Sequence, residues 1–197
     1  ADDYVFNCKH ENFERAYRAA LTSGYENPRS PIENLDKFNT NGDILSKFEL
    51  MHIVIFQMQN RLMPTIMIVY SDNTFELNSF ESSIRTTVYR KFNEVAKRIE
   101  KDDIVNVLFV TEMYTYNIND IKNLDSNERV KHAKNEILSF FMIDNQLSIK
   151  SHSYDTKKIN DFKYIASVMH ANLIEQELPT FINPVKLEFD RILKAEN

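Results

Sequence analysis

Apolar positions recur at helical spacing through residues 10 to 22, HENFERAYRAALT. Phe13, Tyr17, Ala20 and Leu21 share one side there, and Gly24 supplies a stop. ENPRSP follows with two prolines that interrupt regular structure, and a short helical turn is expected over Ile32 to Phe38. Asp43 stands where an N-cap belongs, ahead of a second helix over Ile44 to Arg61. Its stripe is Ile44, Phe48, Met51, Ile55, Met58 and Leu62, although the β-branched run HIVIF within it suits a strand as well.

After Pro64 the period changes to alternation. TIMIVY, the turn SDNT and FEL read as a β-hairpin, with Asp72 and Asn73 tolerating tight-turn dihedrals. Asn78 and Glu81 have capping-box spacing. Residues 81 to 100 then carry Ile84, Val88, Phe92, Val95 and Ile99 on one helical stripe. KDD leads directly into IVNVLFV, apolar enough for a strand buried on both faces. Strand, hairpin partner, helix and buried strand in that order imply a crossover and at least one parallel pairing.

The polar NINDIKNLDSNERVKHAKN comes next, and connections of that length in a compact domain tend to be functional or mobile. EILSFFMID, Asn145-Gln146 and LSIKSHSY form a second hairpin, while FKYIASVMH fits a strand or a helix. Pro179 and Pro184 bracket a further break, and KLEFDRIL closes the chain as a short helix. The expected fold is a single α+β domain. It has a mixed, mostly antiparallel sheet with one crossover helix, packed against N-terminal and C-terminal helices. Within it, residues 1–61 form a helical part, 62–170 the sheet core and 171–197 a helical tail.

Composition narrows the functions open to such a domain. In 197 residues, a 43% hydrophobic and 12% aromatic content supports a sizeable core. Only two glycines are present, so neither G-x-G-x-x-G nor G-x-x-x-x-G-K-[ST] occurs, and a fold with several left-handed turns is not expected. A net charge of −5 argues against a nucleic-acid partner. Arg85, Arg90, Lys91, Lys97 and Arg98 read as the wet face of one helix. The most apolar window, LMHIVIFQM, falls far short of the ~20 residues needed to cross a bilayer, so no membrane partner is expected. Cys8 is the only cysteine, which rules out an intrachain disulfide and a cysteine zinc site and fits a reducing compartment. The opening ADDYVFN has neither the basic nor the apolar part of a secretory leader, and a cytoplasmic location is expected.

Candidate chemistry centres on VLFVTEMYTY. Alternation puts Asn106, Leu108, Val110 and Glu112 on one strand face, with Glu112 where the apolar run ends. Strand ends of this kind border crevices in layered folds. Glu136 opens the next strand, and the polar connection supplies Asp125, Glu128, Arg129, Lys131 and His132. If the two glutamates meet across the sheet they could share a proton or hold a divalent cation. The candidate catalytic residues are therefore Glu112, Glu136 and His132, and the candidate ligand-binding residues are Tyr114, Tyr116 and Arg129. In the plainer reading the strand simply meets water there. The five histidines never fall in H-E-x-x-H or a close H-x-H spacing, and no metal or cofactor is expected. His52 reads as a packed core histidine, and His152, between Ser151 and Ser153, as part of a solvated strand face.

FVTEMY (Phe109 to Tyr114) and NEILSF (Asn135 to Phe140), with MPTIMIVYSD upstream, resemble a group of uncharacterised bacterial and phage proteins. The resemblance covers Met63 to Tyr154. Those proteins tend to carry a tryptophan where Met113 and Tyr114 stand here. The resemblance implies a fold and no chemistry. The leading functional expectation is a non-enzymatic binding or accessory protein whose partner is an unidentified protein or a second copy of the chain. The alternative is a carboxylate-based or metal-dependent hydrolase centred on Glu112 and Glu136.

Overall fold

The computed structural model describes residues 6–11, 13–26, 43–81, 85–169 and 179–196. In chain order these form β1 (Phe6–Glu11), α1 (Phe13–Glu26), α2 (Ile44–Gln59), β2 (Thr65–Tyr70) and β3 (Phe75–Ser79). They continue with α3 (Arg85–Ala96), α4 (Ile99–Asp102), β4 (Ile104–Thr115), α5 (Ile118–Ile121) and α6 (Ser126–Lys131). The remainder is β5 (Asn135–Asp144), β6 (Ile149–Ile159), β7 (Phe162–Met169), a 3-10 turn (Thr180–Ile182) and α7 (Asn183–Glu196).

The sheet runs β1-β3-β2-β4-β5-β6-β7, and every described pairing is antiparallel. This α+β architecture, with N-terminal and C-terminal helices packed on the sheet, is the expected class. The expected parallel pairing is replaced by a different solution. β3 and β4, joined by the α3–α4 crossover, do point the same way, but β2 lies between them and pairs with both. The tight β2–β3 hairpin leaves β2 with one open edge, and β4 takes it.

Alternation along the strands builds two cores. Leu108 and Val110 of β4 join Leu138, Phe140 and Met142 of β5 beneath α1 and α2. Val107 and Phe109 face the other way, towards α3, α4, the 3-10 turn and α7. There the Phe109 ring lies 5.3 Å from Phe92 and 5.2 Å from Phe181, edge-on to both, the geometry aromatic quadrupoles favour. Each such buried side chain stabilises the fold by about 1.5–3 kcal/mol relative to exposure.

Helix α2 starts as the sequence implies, with Asp43 Oδ1 accepting the Ser46 N–H at 3.0 Å. It ends at Gln59, two residues early, because Asn60 turns left-handed at φ 59°. The expected stripe does not describe its burial. Phe48, Ile53, Val54 and Phe56 are fully enclosed, whereas Ile44, Ile55 and Met58 are half-buried. A helix packed between a sheet and another helix is apolar nearly all round, so one stripe cannot define its inner face.

Several local expectations change for identifiable reasons. Phe6–Glu11 is an edge strand on β3, so α1 begins at Phe13, later than the periodicity suggests, and runs past Gly24 to Glu26. Asn78 belongs to β3, and its amide donates to Glu76. Val88, Phe92, Val95 and Ile99 are buried as expected, but the helix breaks at Lys97-Arg98 into α3 and α4. The polar connection after β4 carries two short helices, α5 and α6. FKYIASVMH is a strand through Met169, reached by a turn in which Asn160 and Asp161 have φ 48° and 69°, the signature of a two-residue hairpin loop. Pro184 lies within the first turn of α7, where its missing N–H costs nothing. The expected turn over 32–38 and Ile84 lie outside the described residues.

The glycine argument also fails in an informative way. Six described non-glycine residues have positive φ, and Asn60, Asn73, Asp103, Asn160 and Asp161 supply five of them. Asn and Asp tolerate the left-handed region, so a glycine-poor chain can still turn tightly. Leu147, at φ 61°, is the strained exception.

Candidate functional site

The β4–β5 register pairs Tyr114 with Glu136 and Glu112 with Leu138. Glu136 is thus the diagonal neighbour of Glu112 on the α2 side of the sheet. The structure brings the two carboxylates together on Lys163 of β7. Its Nζ donates to Glu112 Oε2 at 2.8 Å and to Glu136 Oε1. The other oxygen of Glu112 accepts the backbone N–H of Leu62, just beyond α2. The ammonium lies 5.8 Å from the centre of the Phe56 ring, within cation–π range. Asn60 fixes the lysine's backbone, accepting the Lys163 N–H at 3.0 Å while donating to Asp161 O at 3.2 Å. The left-handed turn that ends α2 therefore also seats β7.

The three charged side chains are 17–22% exposed, so water screens them only in part. Burial and the hydrogen bond to Glu136 raise the Glu112 pKa above its ordinary value, against the pull of Lys163 and the Leu62 N–H. Burial alone would raise Glu136 too, but its hydrogen bonds to Glu112 and Lys163 bring it below the usual range. Lys163 is desolvated, yet the two carboxylates push its pKa up. The pair can hold one proton between its members while Lys163 balances the remaining charge. Burial, then the Glu136 charge, also raises Tyr114.

Of the other sequence candidates, Tyr114 borders this cluster across from Glu136, while Arg129 and His132 bond within their own loop. Tyr114 is 43% exposed and its ring lies 6.5 Å from that of Tyr116. Arg129 is exposed on α6 and donates from Nε to Leu124 O at 2.9 Å, closing its own loop. His132 is exposed at the end of α6, where its backbone N–H bonds Arg129 O. The hydrogen-bond partners of Glu112 are the Leu62 N–H and Lys163.

Two clusters escaped the sequence reading. On the far face of the sheet, Arg98 makes a bidentate pair with the buried Glu76, at 3.2 Å from Nη1 and 2.9 Å from Nη2. Tyr70 Oη donates to the same carboxylate at 2.7 Å, and Arg98 Nε donates to Asp102 at 2.8 Å. These bonds override burial and hold the Glu76 pKa down to about 2. Arg98 is thus a structural counter-ion rather than part of a wet basic face. Near the start of α2, the buried Glu49 accepts from His152 Nδ1 at 2.5 Å and from Tyr154 Oη at 2.9 Å. One signal was available for it: a glutamate inside an otherwise apolar helix must find a donor. His52 behaves as expected, packed against Phe48 and donating from Nδ1 to Phe48 O at 2.8 Å.

Among the described residues no three or more His, Cys, Asp and Glu side chains are grouped to hold a metal ion. No described helix is long and apolar enough to cross a membrane. No protein-family model, curated protein or solved structure matches the chain.

Proposed function

We propose that the protein is a non-enzymatic binding protein that acts through contacts with another protein chain. The observation that carries this reading is the internal use of Glu112. Both its oxygens are committed, one to the Leu62 N–H and one to Lys163, and the lysine fills the place between the carboxylates where a substrate cation or metal would sit. A carboxylate so tied orders β4, β5, β7 and the end of α2 relative to one another, which is a structural task. Beside it the Tyr114–Tyr116 pair offers rigid amphipathic surface of the kind used in protein contacts. The same cluster favours one other reading, a carboxylate-based hydrolase, because two neighbouring carboxyls with pKa values pushed apart have the makings of an acid and a base.

One experiment separates them. Purified protein and its Glu112→Gln and Glu136→Gln variants are assayed against ester, phosphoester, peptide and glycoside substrates. Equal, background-level turnover by all three is expected. Turnover by the wild type that either substitution abolishes would move the assignment to the hydrolase. Sedimentation velocity over a concentration series then reads whether the partner is a second copy.

A further inference from the structure

We infer that β6 and α2 form a pH-sensitive clasp, in which protonated His152 holds the buried Glu49 and neutralisation of the imidazole loosens the N-terminal half of α2. Glu49 is 3% exposed and sits beside Phe48, Leu50 and Met51 in the core. A carboxylate placed there is tolerable only with a counter-charge and hydrogen bonds. Its partners are His152 and Tyr154, which alternate with Ser153 so that both face α2. Tyr154 is itself buried, and burial together with Glu49 raises its pKa, so it stays a neutral donor. The cation on Glu49 is therefore His152.

The same strand face carries a second tie. Lys150 Nζ lies 3.2 Å from Asp43, the N-cap of α2, so its charge is engaged at the helix start. The charged groups acting on His152 are Glu49 and Asp43 from α2 and Lys150 from β6, with Tyr154 two residues along the same strand face. β5 presents the apolar Phe140 opposite it. His52 is fully buried, which pushes its pKa down to about 4, so it stays neutral throughout the window where His152 titrates.

The direction of the effect follows from the geometry. The Glu49 hydrogen bond and charge, with a contribution from Asp43, raise His152 above its ordinary 6.5, against burial and Lys150. A raised folded value means the clasp contributes fully below pH 6.5 and is lost as pH rises through the folded pKa. Neutral His152 can still donate from Nδ1, but its contact with Glu49 is then no longer charge-assisted.

The test uses the full chain, with His152 titrated by NMR and amide exchange followed over α2 between pH 5.5 and 8.5, corrected for intrinsic rates. In the wild type, protection across residues 44–52 should fall with rising pH. The fall should be about tenfold for each unit by which the His152 pKa exceeds 6.5. His152→Lys, which keeps a cation throughout, should stay protected; His152→Gln should be weakly protected and insensitive to pH. Titration of His152 at or below 6.5, or the same pH-dependent loss in His152→Lys, would overturn the clasp.

Discussion

Replacing Lys163 with methionine is the most direct test of how the strand-end cluster works. Methionine keeps an apolar stem against Phe56 and removes the charge that separates Glu112 from Glu136. Removing one member of a buried ion pair costs about 3–5 kcal/mol. The carboxylates here keep 17% and 22% of their side-chain surface, so water recovers part of that cost and about 2–3 kcal/mol is expected at neutral pH. The loss should depend on pH in a defined sense. In the wild type the raised Glu112 lowers stability as pH climbs through its folded value. The lowered Glu136 contributes stability above 4.5 that is lost as pH falls, so the two oppose each other. Without the lysine both carboxyls resist ionisation, and the variant should be penalised far more at pH 8 than at pH 5, where they can share a proton. Urea unfolding at the two pH values measures this directly, and a melting temperature lower by about 4–12 °C should accompany it at pH 8. Glu136→Gln placed on top of Lys163→Met should recover part of the loss. A Lys163→Met cost below about 0.5 kcal/mol, or one equal at pH 5 and pH 8, would refute the account of the cluster as a charge-balanced tie.

Three further substitutions probe the polar interior. Arg98→Met strands the 2%-exposed Glu76 and should cost about 3–5 kcal/mol in urea unfolding, with Glu76→Gln on the same background restoring part of it. Because Glu76 is held near pKa 2, its stabilisation is present above 4.5 and is lost as pH falls towards 2, so Glu76→Gln should flatten the acid limb of the stability curve. Gln57 is 1% exposed, and among the described residues neither of its amide atoms has a hydrogen-bond partner. Gln57→Met should therefore stabilise by about 1–2 kcal/mol, visible as a higher melting temperature, and a clear loss would show that the amide is satisfied.

What the sequence disclosed, and what it hid, follows the range of the interactions involved. The hairpin over Thr65–Ser79, the central strand over Ile104–Thr115 and the N-cap at Asp43 are written in periods and neighbours a few residues apart, and they were legible. So was the face on which Glu112 lies, because alternation alone places it beside Leu108 and Val110. The insertion of β2 between β3 and β4 was not legible, since local pattern gives strand directions and not lateral order. Edge strand β1 was hidden because its last residues, His10 and Glu11, also fit the start of the helical segment that becomes α1. Lys163 was missed for a stronger reason. It joins Glu112 across 51 residues and Glu136 across 27, within a segment whose strand or helix character was itself open. Glu49 and His152, 103 positions apart, share that obstacle.

These long-range pairs have a common location that explains why they exist. Both lie on the α2 side of the sheet, one near each end of that helix. Asp43 and Glu49 meet Lys150 and His152 near its start. Phe56, Asn60 and the Leu62 N–H meet Lys163 and Glu112 at its finish. Between them α2 is apolar on nearly every side, packed on the sheet below and on Tyr17 of α1. Apolar contact is strong but non-directional, so it holds such a helix down without fixing its position along its own axis. Hydrogen bonds to buried ions have narrow geometry and a high cost when broken, which supplies the missing specification. A shift of α2 by one residue, about 1.5 Å along its axis, would leave most of its apolar area buried while pulling Glu49 off His152 and the Leu62 N–H off Glu112. The carboxylates that looked like candidates for chemistry are thus placed where a slippery helix most needs fixed points. That placement is the physical basis of the proposal that the chain is a binding scaffold.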